Sequence, residues 1–210
     1  AAWTYGSSHQ CGSSSGNWMG RSSDRLLAGA RYELHHANLN VNGRKILGWW
    51  WNAQQGGNFT QPYIDGYAVY EDTMTQVSGS QGRPYIWSSS YCYGYPSVAA
   101  NARGDLGIVM DYAQSSDSWK SRVGYIIADD FTNAPPGFSL HGVISSSARP
   151  SDNKWGDYNT VRVFQPGQNN WVAGAHYIPG STNCSVCSAP VYFAFGRSRD
   201  YYNWSRWAGY

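Results

Sequence analysis

One glycine-hinged pattern returns three times along this chain at a near-constant interval, and it restricts the fold more than any other feature. The run Tyr95-Pro96-Ser97-Val98 leads through Gly104 to Ile108-Val109. Set beneath it without a gap, Tyr158-Asn159-Thr160-Val161 leads through Gly167 to Trp171-Val172, so that tyrosine meets tyrosine, valine meets valine and glycine meets glycine. A weaker copy surrounds Gly43, followed by Ile46-Leu47-Gly48-Trp49. The three turn glycines stand 61 and 63 residues apart. Two apolar runs closed by a Gly-containing turn read as a β-hairpin, and a fixed period of this length marks a repeated structural unit.

Each unit reads as a strand, a glycine turn, a second strand, a longer loop and a further strand. The expected strands are 46–51, 66–71 and an outer 83–88 in the first unit. The second unit has 97–100, 106–112, 122–128 and an outer 139–145, and the third has 159–164, 171–177 and 191–195. No stretch shows a 3.6-residue apolar period with helix caps. The expectation is therefore an all-β chain of antiparallel, blade-like repeats, a partial β-propeller of about three blades. Its divisions are a Gly/Ser-rich N-terminal strap at 1–23, repeats at 24–94 and 95–154, and a last repeat with the C-terminal tail at 155–210. A closed propeller needs at least four blades, so three leave a wedge to be filled by a second polypeptide, by a copy of the chain, or by a larger contribution from the first thirty or so residues.

Composition supports this class. Charged residues form only 13% of the 210, while 11 Trp, 17 Tyr and 24 Gly are present. Tyr and Trp favour strands, Gly favours turns, and charge this sparse is about half the usual share. The balance of 15 basic against 13 acidic residues indicates no nucleic-acid partner, since the largest basic clusters are pairs such as Arg44-Lys45. No run of apolar residues is long enough for a membrane span.

Four cysteines allow three pairings. The pair Cys184-x-x-Cys187 fits a zinc half-site, a redox motif or a local disulfide. Zinc lacks a second ligand pair, and a redox site needs a strand running into a helix, whereas this pair sits in a Ser/Pro/Gly loop. All four, Cys11 and Cys92 included, are accordingly read as disulfide cysteines with the connectivity open. This points to a secreted, extracellular protein, and Ala1-Ala2-Trp3 fits the start of a mature chain.

The segment Lys154-Trp155-Gly156-Asp157-Tyr158, continuing through Val161-Arg162-Val163 and Asn170-Trp171-Val172 to Pro190-Val191-Tyr192-Phe193, resembles the last blade of secreted sialidase-like (BNR-type) β-propeller proteins. The resemblance spans residues 95–197 well and 24–90 loosely. It implies the C-terminal half of a six-bladed ring whose other half is another polypeptide. The Asp-box of that family is not matched; Ser115-Ser116-Asp117-Ser118-Trp119 is only an echo of it.

Candidate site residues follow. Trp49 and Trp51 share one face of a strand and Trp50 takes the other, so an aromatic plate is available for sugar rings or an apolar protein patch, unless all three are packed between sheets. Asp157 opens an inner strand, placed either to contact a ligand or cation in a channel or to accept backbone N–H groups. The ligand-binding set is Trp49, Trp51, Tyr95, Trp155, Asp157 and Tyr158. Trp3, Trp18, Trp204 and Trp207 are anchors for a partner chain. His35-His36, His141 and His176 read as surface or hydrogen-bonded side chains rather than metal ligands, and no cofactor or catalytic residue is assigned. A sialidase would need an arginine cluster with a Tyr/Glu pair, yet Glu33 and Glu71 are the only glutamates. A two-carboxylate glycosidase would draw on Asp65, Asp111, Asp129, Asp130 or Asp157. Asn58, Asn183 and Asn203 open N-x-Ser/Thr triplets. The expected function is a non-enzymatic extracellular binding or assembly module that recognises a glycan or cell-surface ligand through aromatic loops. A structural subunit of a coat or filament, and then a sialidase-like hydrolase, rank behind it.

Overall fold

A computed structural model describes residues 11, 27–33, 43–117, 120–128, 138–148, 159–165, 167–180 and 188–201, and structural statements below concern those residues. The chain is all-β. Strands β1 (Leu27–Glu33), β2 (Lys45–Ala53) and β3 (Tyr63–Tyr70) form one sheet, here sheet 1. Sheet 2 contains β4 (Tyr91–Ala100), β5 (Leu106–Gln114), β6 (Arg122–Ala128) and β7 (His141–Ser145). Sheet 3 contains β8 (Thr160–Val163), β9 (Trp171–Tyr177) and β10 (Ala189–Phe195), and a single helical turn, Ser198–Tyr201, follows it. Every pairing is antiparallel and each sheet is a meander whose spatial order is its sequence order. The hairpin units thus form three separate sheets rather than one continuous one.

Side-chain alternation along the middle strands explains how the sheets stack. In β5, Leu106, Ile108, Met110 and Tyr112 face sheet 1, where they meet Tyr32, Ile46, Trp50, Ile64 and Tyr70. The opposite face of sheet 2, with Val109, Val123 and Ile127, meets Val161, Trp171, Ala173, Ala175 and Phe195 of sheet 3. Sheet 2 is therefore covered on both sides. That is why β5 is buried at every position from Leu106 to Ala113 and reads as a continuous apolar run instead of an alternating one. Each fully buried Ile, Val or Met contributes about 1.5–3 kcal/mol.

A close approach fixes the second contact. A side chain at Gly107 would place its Cβ 2.7–2.8 Å from three atoms of the Trp171 indole, so only glycine leaves the hollow in which that ring lies. The indole is 1% exposed, stacks on Phe195 at 5.4 Å and donates its N–H to the Ala99 carbonyl at 2.9 Å. At one end of the stack, successive turns are tied together, the Glu33 N–H donating to Gly104 at 3.0 Å and the Ala102 N–H to Gln168 at 2.8 Å. Elsewhere a disulfide joins Cys11 to Cys92 and packs with Tyr95, Ala113, Ala148 and Ile178.

Two elements differ from the sequence expectation. Residues 83–88 are not a strand: the segment makes one bridge, Ile64 with Ile86, through bonds of 3.1 and 2.8 Å. Pro84 has no N–H to extend the ladder, and its carbonyl is taken by the indole N–H of Trp50 at 3.0 Å. The third strand of sheet 1 is instead β1, which the sequence reading left out. Gly43 and Gly104, two of the turn glycines, adopt the left-handed conformation (φ 76° and 90°), but in the third hairpin Gln168, not Gly167, takes it (φ 56°). The strap at 1–23 lies outside the described residues except for Cys11.

Candidate functional site

The face of sheet 1 turned away from sheet 2 gathers the aromatic surface. Trp50 is 1% exposed and points into the core, so Trp49 and Trp51, one residue to either side, point the other way. Cross-strand register sets Leu47 beside Val69, Trp49 beside Tyr67, Trp51 beside Asp65 and Ala53 beside Tyr63. The Trp49 ring lies against Gly29 of β1, where a Cβ would come within 3.3 Å of it. Tyr67 is 37% exposed.

A second group of rings lies at the loop end of the same face. Phe59 stacks on Tyr63 with centroids 4.0 Å apart and planes 14° from parallel. Tyr85 and Trp87 stand nearly perpendicular to Phe59 at 5.3 and 5.7 Å. The rings are held by backbone: Phe59 and Gly56 exchange two hydrogen bonds across a tight turn, and the bridge at Ile86 fixes the residues on either side of it. The two perpendicular pairs have a favourable edge-to-face geometry for aromatic side chains. Within this region the indole N–H of Trp87 and the side-chain carbonyl of Gln55 are buried and bond to no described group.

One ion pair organises the polar part. Arg83 Nη2 donates to both oxygens of Asp65 at 3.0 and 2.7 Å, and Arg83 Nε donates to the Gly66 carbonyl at 3.1 Å. The Gly66 N–H donates to Asp65 Oδ1 at 2.9 Å. Asp65 is largely buried, whereas the Arg83 side chain is 53% exposed. The hydrogen bond to Asp65 is the chief cause holding the Arg83 guanidinium above its ordinary pKa. Burial first, and the Asp65 charge second, raise the Tyr63 phenol. A carboxylate bound to a guanidinium and a backbone amide is held in one orientation as a charge-assisted acceptor. The other carboxylate of the proposed hydrolase set within the described residues, Asp111, is fully buried in β5 and accepts from Asn159 at 3.0 Å.

The remaining expected residues are distributed as follows. Tyr95 does not join the aromatic face. It sits at the irregularity between Gly94 and Ser97 with φ 56°, is 2% exposed and packs on the Cys11–Cys92 disulfide. Its N–H donates to Asn52 Oδ1 at 2.6 Å and its carbonyl accepts from Asn159 at 3.1 Å, so the ring is a core plug and not an open platform. Trp155, Asp157, Tyr158, Cys184 and Cys187 lie outside the described residues, as do His35, His36, Asp129, Asp130 and the four terminal tryptophans. His141 stacks on Tyr125 at 4.9 Å, and Asn58 is exposed in the turn before Phe59. No group of three or more His, Cys, Asp or Glu side chains able to hold a metal occurs among the described residues. No helix among them is long and apolar enough to cross a membrane. Phe59, Tyr63, Tyr85 and Trp87 were absent from the expected set; their sequence signal is the Gly56-Gly57 turn and the aromatic alternation Tyr85-Ile86-Trp87.

With this geometry in place, comparison with known proteins adds no relative: no protein family, no curated protein and no solved structure matches the chain.

Proposed function

We propose that the chain is a run of three propeller blades serving as a non-enzymatic extracellular binding module, completed by a partner and recognising a glycan through the rings around Phe59. The blade reading is supported by three meanders stacked face to face, with β4, the first strand of its sheet, contacting the first strands β1 and β8 of both neighbours. The extracellular assignment draws on the Cys11–Cys92 disulfide and the sparse charge.

The observation that supports glycan recognition is the cluster of Phe59, Tyr63, Tyr85 and Trp87 beside the Asp65–Arg83 pair. A pyranose has an apolar C–H face that stacks on such rings and hydroxyls that both donate and accept at their rim. Asp65 and Arg83 lie near enough along the same face to orient further hydroxyls. Glycan-array screening followed by calorimetry tests the proposal. Phe59→Ala is expected to weaken the best hit about tenfold, roughly 1.4 kcal/mol, with the circular dichroism spectrum unchanged. A folded wild-type protein that binds no glycan, or binding indifferent to Phe59, would overturn it.

A structural-subunit reading is favoured by one observation, the 81% exposure of Tyr192 on the outer face of sheet 3.

A further inference from the structure

The face of sheet 3 turned away from sheet 2 combines an open aromatic ring with an unanswered charge. Cross-strand register places Thr160 and Arg162 of β8, Gly174 of β9, and Pro190 and Tyr192 of β10 on it together. Tyr192 is 81% exposed, and Thr160, Arg162 and Pro190 are exposed as well. None of the described residues sharing this face is a carboxylate. Arg31, Arg44, Arg83 and Arg103 each hold an Asp or Glu side chain. Arg162 forms no ion pair or hydrogen bond among the described residues, so its guanidinium is left for a partner.

The middle strand sets the attitude of the ring. Gly174 stands opposite both Tyr192 and Thr160, and a Cβ there would come 3.3 and 3.5 Å from Cε1 and Cδ1 of the ring and 3.2 Å from the Thr160 methyl. Glycine therefore lets one edge of the ring lean low over the sheet while most of it stays in solvent. Leaving apolar surface in water forgoes about 25 cal/mol per Å², which a ligand laid on the ring recovers. Arg162 lies two strands across and two residues along from Tyr192, so their Cα atoms are about 12 Å apart at ordinary strand spacings. That separation suits adjoining sugars of a chain, one on the ring and the next at the guanidinium.

We infer that this face is a second carbohydrate site, separate from the rings around Phe59, and that its ligand is an acidic polysaccharide built of uronic acids. A uronate ring offers both features the face calls for: an apolar C–H side to lie against Tyr192, and a carboxylate to accept the forked N–H groups of Arg162. A neutral glycan would leave the guanidinium unpaired. An acidic peptide brings carboxylates without a flat C–H side. A nucleic acid stacks and carries phosphate, but its binders neutralise several phosphates with clustered cations, and this face has one arginine among its described residues. The Phe59 site differs in kind, because Arg83 there is already committed to Asp65. The inference does not depend on the reading of that site.

Calorimetric titration of the full chain with an oligogalacturonate, its methyl ester, polyglutamate and a thymidine oligonucleotide tests the inference. The free acid should bind, and the ester about tenfold more weakly because it cannot pair with the guanidinium. Tyr192→Ala should weaken binding of the acid about tenfold. Arg162→Gln should erase both the acid–ester difference and the loss of affinity on adding salt. Both side chains are exposed, so the circular dichroism spectrum should not change. Phe59→Ala should leave oligogalacturonate binding intact, which separates this site from the first. No binding of the acid, equal binding of polyglutamate or the oligonucleotide, or indifference to Tyr192→Ala would overturn the inference. So would an oligomer in light scattering that Tyr192→Ala dissolves, since the face would then serve self-association.

Discussion

Replacing Gly107 by alanine drives a methyl group into the indole of Trp171, at 2.7–2.8 Å from three ring atoms where about 3.5–4.0 Å is comfortable. The ring cannot retreat freely. Phe195 stacks on it at 5.4 Å, and its N–H is anchored to Ala99 at 2.9 Å. Overpacking of this kind costs about 1–3 kcal/mol, and stretching the anchored hydrogen bond costs about 1 kcal/mol more. Alanine returns about 0.5–1 kcal/mol through the chain entropy that glycine loses on folding, so the net loss should be about 1–3.5 kcal/mol. For a chain of this length that corresponds to a fall of roughly 2–14 °C in Tm. Urea melts of Gly107→Ala, Trp171→Leu and the double variant measure it. The double variant should recover part of the alanine cost, because leucine vacates the space the methyl needs. A neutral or stabilising Gly107→Ala, or strict additivity in the cycle, would refute the face-to-face packing of sheets 2 and 3.

Other perturbations address the rest of the molecule. The Cys11–Cys92 disulfide closes a sequence separation of 81 residues, and Cys11→Ala/Cys92→Ala should lower stability by about 4.5 kcal/mol in the loop-entropy account, measured by denaturant midpoint under non-reducing conditions. Burial pushes the Tyr93 phenol up to about 12 from 10.0, and burial likewise raises Tyr32. Both phenols are neutral in the fold and ionise earlier once unfolded, so their stabilisation is intact below pH 10.0 and is lost as pH rises toward 12. Thermal melts paired with phenolate absorbance should show a steep alkaline loss that Tyr93→Phe reduces. Arg103 grips both oxygens of Asp200 at 2.8 and 2.9 Å and so ties the last helical turn to the hairpin at Gly104. Asp200→Asn should cost about 1–3 kcal/mol and speed proteolysis around residues 198–201 before the sheets are affected.

Legibility in the sequence tracked locality. Hairpins whose two strands flank a turn glycine, such as β4–β5, were readable because pattern and turn chemistry sit side by side in the chain. β1 was not, since Leu27–Glu33 offers no clear alternation and its partner strand begins twelve positions beyond its end. Residues 83–88 looked like a strand by their aromatic alternation, but Pro84 limits the pairing to one bridge. The opposite facing of Trp49 and Trp51 to Trp50 follows from the two-residue period alone. The rings at Phe59 and Trp87 are far apart in sequence and meet only through the Ile64–Ile86 bridge, a long-range pairing that no local pattern encodes. Tyr95 looked like a platform because nothing in Tyr-Pro announces the left-handed kink that turns its ring onto the disulfide.

Strand β5, roofed and floored by neighbouring sheets and hydrogen-bonded along both edges, leaves solvent no local route to its amides. Deuterium should enter Ile108, Val109 and Met110 only when the entire stack comes apart, while the short strand β7, paired along one edge among the described residues, exchanges early. One inner strand therefore keeps the clock for the whole molecule, and its exchange rate reports global opening at a single address.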